Sequence, residues 1–345
     1  MIRDLEMIER IAPDMMQTVE RRFRILRNIY WMQPVGRRIL AQKVNETERS
    51  LRTETDFLKQ LNFINASKSG MTLTEEGLQV YKGLEVFMAE YSGTRVRERE
   101  LSQKLGIARC IIVAGDSDEE EKVLESFGAI VSDVLDNELP DGDNTIAVMG
   151  GTTMKTVAQN MEHLETPNRH NLFVPARGGV GETINIQANS ISGMMAEKSG
   201  GDFKVLYVPE QVSPETYENL LHEPTVQRVL ELISEANCVI HSIGSALHMA
   251  RRRGMSLSEL DMLTNNRAVA ESFGYFFDED GEVIYKIPRI GLQLKDLKGI
   301  PYVIAVAGGK SKAKAIEAYI KNAPKQTWLI TDEGAANQIL KEATL

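Results

Sequence analysis

Residues 145–161, TIAVMGGTTMKTVAQNM, constrain the fold of this chain more than any other segment. Their pattern predicts a buried strand, a tight turn over residues 150–153, and a helix from Met154 onward. Two glycines allow the backbone to turn sharply and to approach a ligand closely. The unpaired N–H groups of a helix N-terminus favour an anion such as phosphate. Taken alone, the segment fits equally well a helix that is simply capped by Thr152 or Thr153.

The chain has 345 residues, which predicts two domains rather than one. Its hydrophobic content of 42% and charged content of 26% are typical of a soluble globular protein. No apolar run is long enough to span a membrane, and the first residues lack the apolar core of a signal peptide, so we expect a cytoplasmic protein. Cys110 and Cys238 lie in apolar runs without metal-ligand spacing to histidine, which predicts buried thiols and no metal site.

The charge distribution indicates nucleic-acid binding despite a net charge of −9. Residues 1–70 contain 13 Lys/Arg and 9 Asp/Glu, so the excess of negative charge lies in the rest of the chain. Between Arg21 and Arg52, inclusive, there are nine basic residues and two acidic ones. A basic N-terminal segment followed by an acidic remainder favours a DNA-binding domain joined to a second domain.

Apolar periodicity predicts helices over residues 17–31 and 36–44, a third helix from Thr47, and a small hairpin over residues 64–73. This order is typical of a winged helix-turn-helix, in which the third helix enters the major groove of double-stranded DNA. Arginine and hydroxyl side chains suit contacts to bases or phosphates. The predicted DNA contacts are Arg37, Arg38, Thr47, Arg49, Ser50, Arg52 and Lys68. The alternative is a winged helix that binds protein and whose arginines are merely solvated.

Residues 74–105 predict a long helical connector with a weak point at Ser92 and Gly93. Its apolar stripe favours pairing with a second copy of the chain, because palindromic operators require two-fold symmetric proteins. The same stripe would also serve to pack the connector on its own domain. We therefore divide the chain into a DNA-binding domain over residues 1–90, with the start of the connector, and an effector-binding and oligomerisation domain over residues 91–345.

From about residue 108 onward, short apolar segments alternate with predicted helices. The strands are predicted over residues 110–114, 145–149, 171–175, 203–208, 238–242, 303–307 and 327–331. The helices are predicted over residues 119–127, 153–163, 184–198, 214–221, 224–235, 257–261, 311–321 and 333–340. Continuous apolar strands separated by helices indicate an α/β domain with a Rossmann-like, doubly wound and mostly parallel sheet. Ligands of such sheets bind at the carboxyl ends of the strands.

Four of the predicted strands end in glycine turns, at residues 150–153, 177–182, 244 and 308–312. Two of these turns also supply cations, which are Arg177 in ARGGVGE and Lys310 or Lys312 in GGKSK. A guanidinium group binds phosphate through two parallel hydrogen bonds, whereas a lysine acts as a point charge. The four turns together predict an anionic, phosphorylated ligand.

The motifs themselves resemble a known family. The segments MGGTTMKTVAQ, FVPARGGVGE, HSIGSA, VAGGKSKAKAIEAYI and LITDEGAA are similar to the sugar-phosphate-sensing domain of SorC/DeoR-type bacterial regulators. With the N-terminal segments, including GMTLTEEG, the resemblance covers essentially the whole chain. It implies a sensing fold related to sugar-phosphate isomerases. It also implies a transcriptional repressor of a glycolytic (triose-phosphate) operon, relieved by fructose 1,6-bisphosphate as effector and without a cofactor.

The resemblance also implies which residues hold the effector. Carried over motif by motif, they are Gly151, Thr152, Thr153, Arg177, Gly178, Gly179, Gln187, Arg252, Glu271 and Lys312. Two choices stay open. The spacing favours Lys312 over Lys310, and three arginines stand together at residues 251–253.

The alternative function is that of a sugar-phosphate isomerase-like enzyme, since the implied sensing fold is related to such enzymes. An isomerase needs a general acid or base near the sugar, for which Glu182, His241 and Glu271 are candidates. None of them belongs to an obvious cluster of acidic residues and histidines, and a DNA-reading domain has no role in an isomerase. We therefore expect no catalysis. The expected partners are operator DNA, a sugar phosphate and further copies of the chain, as a dimer or as a tetramer on DNA, with no membrane.

Overall fold

The structure is a computed structural model that describes residues 11–91, 93–164, 168–178, 183–209 and 213–341. The chain forms two compact units that divide between Arg97 and Glu98. Within the described ranges, no helix combines the length and the apolar character that crossing a membrane requires. Cys110 and Cys238 are free thiols and are buried, as predicted, and burial raises the pKa of the Cys110 thiol to about 12.

The N-terminal unit has the element order of a winged helix-turn-helix, as predicted. Its elements are α1 (Pro13–Met32), α2 (Arg37–Lys43), α3 (Glu48–Gln60), β1 (Ile64–Ser67), β2 (Gly70–Leu73) and α4 (Glu75–Tyr91). The hydroxyl of Thr47 caps α3 because it accepts a hydrogen bond from the backbone N–H of Ser50. Strands β1 and β2 pair antiparallel as the wing, and Val35 pairs with Met71 to tie the wing to the segment before α2.

The predicted connector consists of two helices, α4 and α5 (Thr94–Leu105), separated at the predicted weak point. Gly93 has a φ of +72°, a conformation that glycine adopts without strain. Tyr81 and Met88 of α4 are buried in the core of the N-terminal unit, whereas Leu101 of α5 belongs to the core of the second unit. These apolar residues therefore pack within their own units, and pairing of the connector with a second copy stays a prediction.

The second unit is an α/β domain. Its strands are β3 (Arg109–Val113), β4 (Gly142–Val148), β5 (Arg169–Pro175), β6 (Asp202–Phe203), β7 (Cys238–Ser242), β8 (Gly244–Ser245), β9 (Ala270–Ser272), β10 (Tyr275–Phe277), β11 (Val283–Lys286), β12 (Tyr302–Val306) and β13 (Thr327–Asp332). Its further helices are α6 (Val123–Glu138), α7 (Thr152–Gln159), α8 (Ala188–Ser199), α9 (Pro214–Leu221), α10 (Pro224–Ser234), α11 (Ala246–Arg252), α12 (Leu257–Asn265), α13 (Ala313–Ile320) and α14 (Glu333–Lys341). Short 3₁₀ turns occupy Ile184–Ile186, Leu294–Gly299 and Lys310–Lys312.

Seven strands form one parallel sheet in the order β3-β13-β12-β7-β4-β5-β6. From β4 the chain proceeds through β5 to β6 on one side, then returns to continue through β7, β12 and β13 on the other. The connections that leave β4 and β7 therefore diverge, which leaves a crevice at the carboxyl ends of these two strands. Apart from Ser242, the last residues of both strands are buried, as expected for a doubly wound parallel sheet. The predicted fold class is confirmed.

Among the predicted elements whose bounds differ from the structure, two differ for an identifiable reason. The strand predicted over residues 203–208 ends at Phe203, because the side chain of Asn189 pairs with both the N–H and the carbonyl of Leu206 in place of a neighbouring strand. The helix predicted over residues 119–127 starts later, at Val123, because the N–H groups of residues 119 and 120 close turns on the carbonyl of Asp116.

The sequence did not predict the small antiparallel sheet β11-β10-β9-β8 or helix α11. Strands of two to four residues are too short for apolar alternation to reveal them. Phe273 and Gly274 both have positive φ angles, of 54° and 82°, and form the tight turn between β9 and β10. This sheet follows directly on β7, so it lies beside the crevice.

Candidate functional site

A cavity of about 270 Å³ lies at the carboxyl ends of β4 and β7. Its wall is formed by the turns after β4, β7 and β12, by α11 and by the β9–β10 hairpin. The lining residues are Met149, Gly150, Gly151, Thr152, Thr153, Arg177, Ser242, Ile243, Gly244, Ser245, His248, Met249, Arg252, Arg253, Glu271, Ser272, Phe273, Ser311 and Lys312. The cavity therefore occupies the place where doubly wound sheets bind their ligands.

The turn after β4 brings the N-terminus of α7 to this cavity. Gly151 has a φ of +135°, and a Cβ on Gly150 would lie 2.5 Å from the backbone oxygen of Ile186. Both positions therefore require glycine. Gly151 is the N-cap residue of α7 and no side chain caps the helix, so the alternative of a capping threonine is wrong. The N–H groups of the first turn lie at the cavity without a side-chain acceptor, which favours an anionic ligand.

The cavity carries an excess of positive charge. Four cationic side chains line it, from Arg177, Arg252, Arg253 and Lys312, and Glu271 is the single carboxylate among the described lining residues. Arg253 Nη1 lies 2.9 Å from Glu271 Oε1, and both side chains are only 4% exposed. The charge of Glu271 is thus balanced within the protein, by Arg253. Arg177, Arg252 and Lys312 also line the cavity, and a cluster of cationic side chains suits a ligand with more than one negative charge.

Lys312 and Lys310 occupy different places. Lys312 lines the cavity, whereas Lys310 lies in a separate groove on the other side of the turn. Burial lowers the pKa of Lys312, and the nearby carboxylates of Asp118 and Asp332 oppose this shift. The structure therefore brings Lys312, and not Lys310, together with the other predicted effector contacts.

The backbone of the GGKSK turn is already engaged within the protein. The N–H groups of residues 309–311 donate to the carboxylates of Asp332, Asp116 and Asp118 at 2.6, 3.2 and 2.6 Å. Because these amides have acceptors, the turn offers the ligand the side chain of Lys312 rather than a cradle of N–H groups. The two glycine turns, which look alike in sequence, thus differ in what they can bind.

Seven of the ten predicted effector contacts line the cavity: Gly151, Thr152, Thr153, Arg177, Arg252, Glu271 and Lys312. Gly178 follows Arg177, and a Cβ there would lie 2.0 Å from Cγ2 of Val208, so packing alone requires this glycine. Gln187 adjoins the 3₁₀ turn that contacts Gly150, but it is not among the lining residues. Gly179 lies outside the described residues.

Sequence reasoning missed several polar lining residues, which are Ser242, Ser245, His248, Ser272 and Ser311. The segment HSIGSA contains Ser242 and Ser245, so its glycine turn was a usable signal for both. Ser272 gave no such signal, because it reaches the cavity only through the hairpin that the sequence did not predict. His248 likewise lies on the unpredicted helix α11.

His241, a candidate general acid or base, is a buried structural residue. Its Nε2 lies 3.0 Å from the hydroxyl oxygen of Tyr319, and its Nδ1 lies 3.3 Å from Oγ of Ser272. Burial lowers the pKa of His241 to about 3, so the imidazole is neutral at physiological pH. It does not line the cavity, and the second candidate, Glu182, lies outside the described residues.

The predicted DNA contacts fall into two groups. Exposed side chains belong to Arg38, Thr47, Arg49, Arg52 and Lys68, and Lys68 lies in the turn of the wing. Arg37 and Ser50 are half-buried. The hydroxyl of Ser50 accepts a hydrogen bond from Arg21, and that of Thr47 caps α3, so both hydroxyls have roles within the domain. A DNA contact by any of the seven stays a prediction.

Family models match both parts of the chain. The CggR N-terminal DNA binding domain matches residues 18–88, and the Sugar-bind model, a sugar-binding domain, matches residues 89–341. Among solved structures, a SorC family transcriptional regulator from Enterococcus faecalis is 68% identical and covers 71% of this chain and 99% of its own, with a TM-score of 0.68. The full-length sorbitol operon regulator SorC from Klebsiella pneumoniae, at 16% identity, shares the fold over 91% of this chain and 96% of its own, with a TM-score of 0.64.

Two curated relatives match over nearly their full length. The central glycolytic genes regulator of Bacillus subtilis is 43% identical over 334 residues, which is 97% of each chain. That of Priestia megaterium is 43% identical over 339 residues, or 98% of each chain. The chain therefore belongs to the family of the central glycolytic genes regulators, which are transcriptional regulators with a DNA-binding domain and a sugar-binding domain.

Proposed function

We propose that this chain represses a glycolytic operon of the triose-phosphate steps, and that fructose 1,6-bisphosphate in the cavity relieves the repression. The observation that carries the proposal is the cavity, where four cationic side chains and one carboxylate surround a helix N-terminus without a side-chain cap. A sugar with two phosphates carries about −3 to −4 charges, which the excess of positive charge would balance. The serine hydroxyls of the lining suit the hydroxyls of a sugar.

One phosphate would bind at the GGTT turn and the other near Lys312. The first site has the N–H groups of α7 together with Thr152 and Thr153. The second has Lys312 beside Arg252, since the charge of Arg252 acts on the pKa of Lys312. Two such subsites in one cavity favour a bisphosphate over a monophosphate.

A sensor, rather than an isomerase, fits the described cavity better. General acid–base catalysis needs a group whose pKa lies near the working pH. His241, with a pKa of about 3, does not meet that condition, and Glu271 is paired with Arg253. The relatives are named as regulators. Measurable isomerisation of a sugar phosphate in a coupled assay would contradict this part of the proposal.

Repression would be exerted by an oligomer of the chain on operator DNA. Helix-turn-helix proteins bind two half-sites as dimers, so two or more copies are expected on the operator. The effector can weaken repression only if it prefers a state that binds DNA less well. We propose that this state differs in how the copies associate, and that α4 and α5 transmit the change.

The central experiment is fluorescence anisotropy on the upstream DNA of the chain's own operon, titrated with fructose 1,6-bisphosphate. We expect tight binding without effector, and a loss of affinity or of cooperativity as the bisphosphate is added. Inorganic phosphate at the same ionic strength serves as the control. No change in binding at saturating bisphosphate would contradict the effector assignment and leave the DNA-binding assignment standing.

Lys312 and Lys310 provide a matched pair of variants. Lys312→Ala removes a cation from the cavity, so the effector concentration for half-maximal release should rise about tenfold or more, the worth of one charged hydrogen bond. Lys310→Ala makes the same chemical change outside the cavity and should respond like the parent chain. An equal shift in both variants would show that only the net charge matters.

A further inference from the structure

Arg21 of α1 binds three side chains at the start of α3. Its Nε and Nη2 donate to the two carboxylate oxygens of Glu46, at 2.7 and 2.6 Å, as a bidentate pair. Its Nη1 donates to Glu54 at 3.1 Å, and its Nη2 also donates to the hydroxyl of Ser50. One guanidinium group therefore connects α1 to the residues just before α3 and to its first two turns.

Arg22 strengthens the same contact between the helices. Its Nε donates to Glu54 at 2.8 Å, and its guanidinium carbon lies 4.0 Å from the centre of the Phe57 ring. The side chains of Glu46 and Glu54 are each only 12% exposed, so salt screens these pairs less than it screens surface charges. The guanidinium of Arg21 also lowers the pKa of Glu46, which therefore stays ionised at neutral pH.

We infer that Arg21 is a positioning residue for operator recognition, which fixes the orientation of α3 through Glu46, Ser50 and Glu54. The inference rests on the proposed function, and it assigns to Arg21 a role other than contacting DNA. Contacts to base edges carry the sequence information and require accurate placement of the recognition helix, whereas contacts to phosphates carry no sequence information directly. Loss of the network should therefore reduce the preference for the operator more than the general affinity for DNA.

The effect of removing a carboxylate on DNA affinity distinguishes this positioning role from a direct DNA contact. Removal of a carboxylate from a DNA-binding domain ordinarily strengthens binding, because it reduces repulsion of the phosphates. If Arg21 positions α3, Glu46→Gln and Glu54→Gln weaken operator binding even though they make the domain more positive. If Arg21 instead contacted DNA, loss of Glu46 would release its guanidinium and tighten binding.

The experiment measures the affinity of the full chain without effector, by fluorescence anisotropy, for its upstream DNA and for a scrambled duplex of equal length. Both are titrated over a series of KCl concentrations. The variants are Glu46→Gln, Glu54→Gln and Arg21→Lys, which keeps the charge but cannot make the bidentate contact. Glu48→Gln is the matched control, since Glu48 is exposed at the first position of α3 and the loss of charge is the same.

The three network variants should bind the upstream DNA about tenfold more weakly, which corresponds to the loss of one charged hydrogen bond. Their affinity for the scrambled duplex should not change. The salt dependence of their DNA affinity should not decrease, because no phosphate contact is lost. Glu48→Gln should bind both duplexes as tightly as the parent chain or more tightly.

Two results would overturn the inference. Tighter operator binding by Glu46→Gln, as in the control, would make Arg21 a DNA contact. An equal loss on both duplexes would show that the network only stabilises the domain, since partial unfolding lowers both affinities by the same factor. Failure of the parent chain to prefer its upstream DNA would instead contradict the proposed function.

Discussion

At the scale of single residues, the run Arg251–Arg253 shows how one helix turn separates identical side chains. Arg251 is exposed, Arg252 lines the cavity, and Arg253 forms the buried pair with Glu271. The backbone N–H of Gly274 donates to the same oxygen, Oε1, at 2.8 Å. The resemblance implies a sugar contact by Glu271, and these two contacts leave Oε2 as the oxygen for such a contact. Arg253 would then orient the carboxylate rather than bind the ligand.

The buried His241 predicts a specific loss of stability in acid. The unfolded chain takes up a proton near the ordinary pKa of 6.5, whereas folded His241 does so only at about pH 3. The free energy of unfolding should therefore decrease as the pH falls through this range, by at most about 1.4 kcal/mol per pH unit from this residue. His241→Asn, which cannot take up the proton, should show a shallower pH dependence in urea unfolding between neutral pH and pH 5.

The measurement can be confined to the second unit. The chain has two tryptophans, and in a Trp31→Phe background the fluorescence of Trp328 in β13 reports unfolding there. His222→Asn, at an exposed position, is the matched control and should keep the parent slope. Identical slopes for His241→Asn and the parent chain would mean that His241 is already charged or solvated in the folded state.

At the scale of elements, the cavity depends on how α7 is held. The 3₁₀ turn Ile184–Ile186 packs directly against Gly150, and the N–H of Gly151 donates to the carbonyl of Ile186 at 2.9 Å. This contact fixes the glycine turn and with it the first N–H groups of α7. The proposed anion site is therefore built by two elements that are more than thirty residues apart in the chain.

Gly150→Ala should disrupt this arrangement. Its Cβ would lie 2.5 Å from the carbonyl oxygen of Ile186, so the turn must move away and α7 with it. We expect about tenfold weaker binding of fructose 1,6-bisphosphate by calorimetry, because displacement of a binding group by a fraction of an ångström is costly. Gly299→Ala is the control, since no atom lies within 4 Å of its added Cβ and binding should not change. Parent-like affinity in Gly150→Ala would show that α7 does not hold the ligand.

At the scale of the whole molecule, the chain joins two units whose cationic side chains both favour negatively charged partners. The N-terminal unit exposes arginines on α2 and α3, and the cavity of the acidic second unit concentrates cations at one place. Both proposed partners, operator DNA and a sugar bisphosphate, are polyanions. A change of state of the protein can produce antagonism between them if one state binds DNA better and the other binds the bisphosphate better.

Thermodynamic linkage makes this antagonism reciprocal. If saturating fructose 1,6-bisphosphate weakens operator binding by some factor, saturating operator DNA should weaken bisphosphate binding by the same factor. Calorimetric titration of the bisphosphate into the free chain and into its operator complex, at one salt concentration, checks this equality. An effector affinity that operator DNA leaves unchanged would contradict coupling between the two units.

Sequence alone determined the features that are local in the chain. The winged helix followed from apolar periodicity, and the parallel strands followed from continuous apolar runs, because burial on both faces leaves a plain signature in each segment. The glycine turns 150–153 and 308–312 were found in the same way, as breaks at strand ends. Most of the predicted contacts that line the cavity were found in this way too, since parallel strands bring their carboxyl ends to one edge of the sheet.

Tertiary structure decided which polar and charged groups already have a partner within the protein. Asp118 meets Ser311 across 193 positions of sequence, Arg21 meets Glu54 across 33, and Arg253 meets Glu271 on the far side of helix α12. Such pairings depend on packing between distant segments, which no local pattern of residue types encodes. The two glycine turns look the same in sequence but differ in the structure for this reason. The GGTT turn begins a helix that has no side-chain cap, whereas the backbone amides of the GGKSK turn donate to carboxylates of the protein.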